Sequence, residues 1–150
     1  MRERIYHQFF YDHSPETVWE YLTKAELISQ WLMPNDFLPI VGHDFRFTIR
    51  AMPEMDFDGI VYCKIVELIP FKRLSYSWKL GPGGGKIAID SLVSWTLIPK
   101  DGGTELTLDH TGVKEMEYFN MFSALNKGWE ANMKKIGELI HTSTHGTPNT

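Results

Sequence analysis

A single cysteine, Cys63, stands in the 150 residues, so no intrachain disulfide can form. Its place within an apolar strand pattern marks it as a small buried hydrophobe, and a reducing cytosol is the simplest setting for such a chain. Basic residues are also in short supply. Lys and Arg number 15 against 19 Asp and Glu, which leaves a net charge of −4. Binding a phosphate backbone needs clustered cations to displace counterions, so no nucleic-acid partner is expected. Nowhere do about eighteen apolar residues run together, as a membrane-spanning helix requires. The opening Met-Arg-Glu-Arg-Ile-Tyr-His-Gln also lacks the apolar core of a signal peptide. The expectation is a soluble, cytoplasmic protein with no membrane insertion.

Aromatic residues, by contrast, are plentiful: 13% of the chain, with five Trp and nine Phe. Large rings fill wide cores or line pockets. A chain of this length buries roughly 68–70% of its unfolded surface in one domain, so no disulfide, metal or cofactor is needed to staple it. We expect one domain over residues 1–140 and a polar, flexible tail over 141–150.

Residues 4–11 place Ile5, Phe9 and Tyr11 among polar neighbours and predict a first strand. Ser14-Pro15-Glu16 supplies an N-cap, a first-turn proline and a first-turn acid for a helix carrying Val18, Trp19 and Leu22. Thr23-Lys24-Ala25-Glu26 has capping-box spacing and predicts a second short helix, with Leu27, Ile28 and Trp31, ended by Pro34. From about residue 36 the apolar period becomes two, in Phe45, Phe47 and Ile49, and again in Val61, Cys63 and Ile65. It returns in Leu74, Tyr76 and Trp78, in Val93, Trp95 and Leu97, and in Thr104, Leu106, Leu108 and His110. The turn-like breaks at 70–73, 81–85 and 99–103 are too short for parallel crossovers and predict an antiparallel meander. Phe119, Phe122, Leu125, Trp129, Met133, Ile136 and Ile140 then recur every three or four residues, one face of a long helix from about Glu115 to Ile140.

This order of elements resembles the helix-grip fold of the START-like (SRPBCC) superfamily. The local motifs are Ser14-Pro15-Glu16-Thr17-Val18-Trp19, Trp31, Gly59-Ile60-Val61 leading to Glu67-Leu68-Ile69-Pro70, Arg73 to Trp78, Gly103 to His110, and Gly128-Trp129. They are similar to the family named for homology to the activator of the heat-shock-chaperone ATPase. The resemblance implies an α+β fold with two short helices after the first strand. A curved antiparallel sheet would wrap around the long C-terminal helix, with a cavity between them. It implies no catalytic residue, because this fold hosts lipid carriers and cyclases alike. In the co-chaperone that names the family, a separate N-terminal domain makes much of the chaperone contact. No such domain is expected here, and that role is not carried over by name.

Other constellations are weaker. Gly81-Pro82-Gly83-Gly84-Gly85-Lys86 lacks Walker spacing and a following Ser or Thr, so it reads as a flexible hairpin loop, with a gate at the cavity mouth as a second role. Glu54 to Gly59 opens like a calcium loop, but the twelfth position is Ile65; an acidic strand start, with three carboxylates on one solvated face and Met55 and Phe57 turned inward, fits better. His141 and His145 are four apart, yet Thr-Ser-Thr between them and Gly after them speak against continued helix and a metal site.

His110, in phase with Leu106 and Leu108, should face the concave side of the sheet near the strand end. There it serves either as a core histidine satisfied by a neighbouring hydroxyl or carbonyl, or as a ligand's hydrogen-bond partner. The expected ligand-binding set is Trp31, Phe45, Phe47, Phe57, Tyr76, Trp78, Trp95, His110, Phe119, Phe122, Leu125 and Trp129. Tyr76 and His110, with Thr104, are its polar contacts, and Met52, Met55, Met116 and Met121 are adaptable walls near the mouth. The function this favours is binding of a small hydrophobic or aromatic molecule between sheet and helix. One alternative is a protein-interaction module for a chaperone or stress partner. Another is an enzyme pairing His110 with a carboxylate from residues 54–58.

Overall fold

The computed structural model describes residues 2–145. Strand β1 (Arg4–Tyr11) is followed by helices α1 (Pro15–Thr23) and α2 (Ala25–Trp31). Then come β2 (Asp44–Thr48), β3 (Ile60–Ile69), β4 (Arg73–Leu80), β5 (Ile89–Lys100) and β6 (Gly103–Thr111), and helix α3 (Phe119–His145) closes the chain. The strands form one curved antiparallel sheet in the order β1-β6-β5-β4-β3-β2. Strands β2 to β6 are a meander, and β1 returns to pair with β6, setting Ile5 opposite His110 and Tyr11 opposite Thr104. This is the helix-grip arrangement, with two short helices after the first strand and the long one packed on the sheet.

Period-two alternation decides which face is dry. Phe45, Phe47, Val61, Cys63, Ile65, Leu74, Tyr76, Trp78, Val93, Trp95, Leu97, Leu106 and Leu108 are all buried on the side that meets the helices. Burial pushes the Cys63 thiol well above its usual range, which keeps it a neutral core residue. In α3 the residues at helical spacing, Phe122, Trp129, Met133, Ile136 and Ile140, are buried as well. Helix and sheet are tied by Tyr11, whose hydroxyl donates to the Met133 carbonyl at 2.6 Å, and by the His7 ring nitrogen 3.0 Å from Asn126.

Four local expectations change. The Thr23 hydroxyl donates backward to the Trp19 carbonyl at 2.8 Å, so no capping box forms; α2 starts after Lys24, which makes no side-chain cap. Glu115 to Tyr118 make a turn rather than helix, and α3 begins at Phe119. At its other end α3 runs past Ile140 to His145, through the Thr-Ser-Thr that seemed to forbid it. The part of the expected flexible tail from residue 146 onward lies outside the described residues. Finally, Pro53–Met55 is a single 3₁₀ turn followed by Asp56 in the left-handed region (φ 53°), and β3 begins only at Ile60.

Candidate functional site

Where the sheet curves away from the middle of α3, the two surfaces do not close on each other. The gap is a cavity of about 270 Å³. Leu32 and Met33 bound it from the end of α2; Ile49, Met52, Met55 and Phe57 from the segment joining β2 to β3; Val61, Trp78 and Leu80 from the sheet. Helix α3 supplies Met121, Ala124, Leu125, Gly128, Trp129 and Asn132. Its rim reaches the surface at Ile49 and Ala124, which are exposed. No charged side chain lines it, and four methionines do. Flexible thioethers shape themselves to more than one occupant.

Gly128 helps to keep this space open. A Cβ built there would meet no atom within 4 Å, so a larger side chain could project into the gap. Glycine in a helix interior costs about 1 kcal/mol relative to alanine, and here that cost coincides with the cavity wall.

Behind the wall lies a continuous aromatic cluster. Trp129 stacks at a tilt on Trp78, with ring centroids 5.1 Å apart, and edge-on to Trp95 at 5.6 Å. Trp95 in turn meets Trp31 edge-on at 5.8 Å, while Trp78 meets Phe47 at 5.5 Å. The indole nitrogens identify which members are structurally committed. Trp31 donates to the Tyr21 carbonyl at 2.8 Å, Trp95 to the Tyr76 hydroxyl at 3.0 Å, and Trp129 to His110 Nδ1 at 3.0 Å. Trp78 Nε1, in a ring only 1% exposed, is the one buried side-chain N or O atom among the described residues without a partner. An unmade hydrogen bond of this kind costs about 1–3 kcal/mol.

The tautomer of His110 follows from its neighbours. An indole N–H can only donate, so Nδ1 of His110 must be the bare, accepting nitrogen. Its proton is then on Nε2, donating to Ser91 Oγ at 2.8 Å, and the Ser91 hydroxyl donates to the Trp78 carbonyl at 2.7 Å. Burial pushes the ring's pKa down to about 3, against a weaker opposing pull from Asp109. Both nitrogens are used, and His110 is a neutral brace behind Trp129 rather than a group on the cavity wall.

Of the twelve expected ligand-binding residues, the structure brings Phe57, Trp78, Leu125 and Trp129 to the cavity. Trp31, Phe45, Phe47, Tyr76, Trp95, His110 and Phe122 are buried but stand outside its lining, as supports of the rings that do line it. Phe119 is 61% exposed and borders a separate, neighbouring hollow with Met116, Glu54, Asp56 and Glu117. Of the other expected polar contacts, Tyr76 accepts from Trp95, and burial raises its pKa far above the ordinary phenol value. Thr104 donates to the His13 carbonyl at 2.7 Å. Met52, Met55 and Met121 are cavity walls, whereas Met116 belongs to the hollow. The glycine loop, with Gly83, Gly84 and Gly85 at positive φ, does not border the cavity. Neither His110 nor any carboxylate of residues 54–58 lines the cavity, so no acid–base pair is assembled there.

Sequence patterns missed Leu32, Met33, Ile49, Val61, Leu80, Ala124 and Asn132 as lining residues, because lining is set by where two elements separate and not by which face each presents. Gly128 in mid-helix was the one available signal.

A family model describing the Activator of Hsp90 ATPase homolog 1-like protein matches residues 12–141. The chain belongs to this family. A crystal structure of protein MLL2253 from Mesorhizobium loti is 31% identical over 91% of this chain and 96% of that one, with a TM-score of 0.80. The fold is shared with the Aha1 dimer from Colwellia psychrerythraea at 19% identity, 91% and 95% coverage and a TM-score of 0.73. It is also shared with NE0264 from Nitrosomonas europaea at 17% identity, 95% and 97% coverage and 0.74. No protein of curated function matches the chain. Within the family fold, no helix among the described residues is long and apolar enough to cross a membrane.

Proposed function

We propose that this family member binds a small apolar molecule in the cavity between its sheet and α3. The observation that carries this is an uncharged gap of about 270 Å³ between sheet and helix, opening to the surface at Ile49 and Ala124, with a helix glycine on its wall. Burial of apolar surface, at roughly 25 cal/mol per Å², drives uptake, and the few polar atoms orient the ligand. The ligand-contacting residues in this proposal are Phe57, Trp78, Leu125 and Trp129 with the methionines. The other eight of the twelve expected residues are their scaffold or, for Phe119, part of the outer approach. Mass spectra of freshly purified protein under native and denaturing conditions test it. A small-molecule adduct present only in the native spectrum is expected. A protein that carries none and takes up no two-ring apolar probe at millimolar concentration contradicts it.

A second reading is protein interaction, as the family's name suggests for an Hsp90-type partner. It is favoured by the segment between α2 and β2, where Leu38, Ile40 and Val41 are 50%, 57% and 60% exposed. Clustered exposed apolar side chains are the usual mark of a docking surface. Stimulation of an Hsp90 ATPase that Ile40→Asp abolishes would support it, and an ATPase indifferent to the protein would count against it.

A further inference from the structure

We infer that Asn132 is the specificity-determining residue of the cavity, and that the ligand it selects is a neutral fused-ring compound whose polar group both donates and accepts a hydrogen bond, as a cyclic amide does. This rests on the container function proposed above and adds the chemical class of what is contained. Met121, Leu125, Gly128 and Asn132, spaced four, three and four apart, run along the stripe of α3 that lines the cavity. Apart from two indoles, the Asn132 amide is the only polar group among the lining side chains. Trp129 directs its N–H to His110, and Trp78 Nε1 is buried. Asparagine is a poor helix former, and the other half-buried asparagines among the described residues are tied down. Asn35 donates to the carbonyls of Ala25 and Met33 and accepts from the Phe37 N–H, and Asn126 Oδ1 lies 3.0 Å from the His7 ring. Asn132 is half-buried too, yet its amide makes no hydrogen bond to any described residue.

There is room for a partner beside it. Helical side chains lean toward the N-terminus and cover the turn before their own Cα, so Asn132 extends over Gly128, one turn back. Cβ positions four apart in a helix are about 5–6 Å from each other. A Cβ built at Gly128 meets no atom within 4 Å, so a ligand atom fits in that place, within hydrogen-bond reach of the Asn132 amide. The amide then narrows the ligand's polar group. A carboxamide carries an acceptor oxygen and a donor nitrogen side by side. A cyclic amide meets both at once, whereas a ketone meets only the donor and leaves a desolvated oxygen unpaired. A carboxylate or an ammonium needs an opposite charge or several partners when desolvated, and no charged side chain borders the cavity. The adjoining hollow shares Met55 and Met121 with it and is lined by Glu54, Asp56 and Glu117, which repel an approaching anion. Size follows by proportion. A cavity of about 150 Å³ holds benzene with its six carbons, so about 270 Å³ holds on the order of eleven non-hydrogen atoms, two fused rings with a polar group.

The probes are dihydrocarbostyril, α-tetralone and tetralin, which share a two-ring frame and carry a cyclic amide, a lone carbonyl and no polar group. Each is titrated into the full chain and into Asn132→Leu, a side chain of the same size and branching, and the Asn132 amide resonances of the wild type are followed in the proton–nitrogen spectrum. All three should bind the wild type, and the lactam should move the Asn132 amide protons downfield. Asn132→Leu should weaken the lactam at least about tenfold, the size of one or two buried hydrogen bonds, weaken the ketone less, and leave tetralin within about twofold. Equal losses for lactam and tetralin, or unmoved Asn132 resonances with the lactam bound, overturn the Asn132 assignment while the container stands. A ketone that loses as much as the lactam overturns the donor–acceptor class. Binding of none of the three overturns both the assignment and the container. If the variant does not fold, the wild-type resonances decide. Naphthoate binding more tightly than the lactam would overturn the requirement for a neutral ligand.

Discussion

At the scale of single residues, His110 shows how a titratable group can be silent. Its neutral form is held by a donor-only indole on one nitrogen and by Ser91 on the other. Protonation would place a proton on Nδ1 facing the Trp129 N–H, and burial opposes the charge as well. The folded-state pKa of about 3 lies below the ordinary value of 6.5. Above pH 6.5 both folded and unfolded chains hold this ring neutral, and its contribution to stability is complete. As the pH falls from there towards 3, the unfolded chain takes up the proton and the folded one refuses it. Stability is then lost at up to about 1.4 kcal/mol per pH unit from this group. Denaturant melts from pH 7 to 4 should show that slope in the wild type and a shallower one in His110→Gln, whose amide can both accept from Trp129 and donate to Ser91. An unchanged slope would show that His110 takes up its proton at the same pH in the folded and unfolded chains, so that burial does not lower its pKa.

At the scale of an element, α3 contains two glycines with opposite duties. Gly128 faces open space, so Gly128→Ala should stabilise the protein by about 0.5–1 kcal/mol through helix propensity alone. At Gly137 a Cβ would lie 3.1 Å from the Tyr11 ring, at the point where helix and first strand approach, so Gly137→Ala should cost about 1–3 kcal/mol. Thermal melts of the two variants check the pair, and equal shifts would contradict it. Elements were also what the sequence made most legible. Alternation located strands β2 to β6 because each has one wet and one dry face, and helical spacing located α3. Its first turn was misplaced because Glu115 to Tyr118 carry helix-forming residues that are held as a turn. The Thr23 capping box failed because the hydroxyl had a nearer acceptor in the turn behind it.

At the scale of the whole molecule, the candidate site was only partly readable. Phe57, Trp78, Leu125 and Trp129 were visible because large inward rings and a helical apolar stripe must face one another. Tyr76, Trp95 and His110 shared that pattern, yet partners distant in the sequence claimed their polar atoms, and no linear spacing records that. Leu32, Met33 and Asn132 border the cavity because the end of α2 meets α3 beside the β2–β3 connection, a relation that exists only in three dimensions. What the assembled chain adds is a gap that close packing would otherwise remove. The most direct test of its purpose is a titration of α-tetralone into the wild type and Gly128→Leu, with melting temperatures measured alongside. Saturable one-site binding is expected in the wild type and at least about a tenfold loss in the variant, from a side chain occupying the cavity, at an equal or higher melting temperature. No binding to the wild type, or equal binding to a well-folded Gly128→Leu, would contradict it.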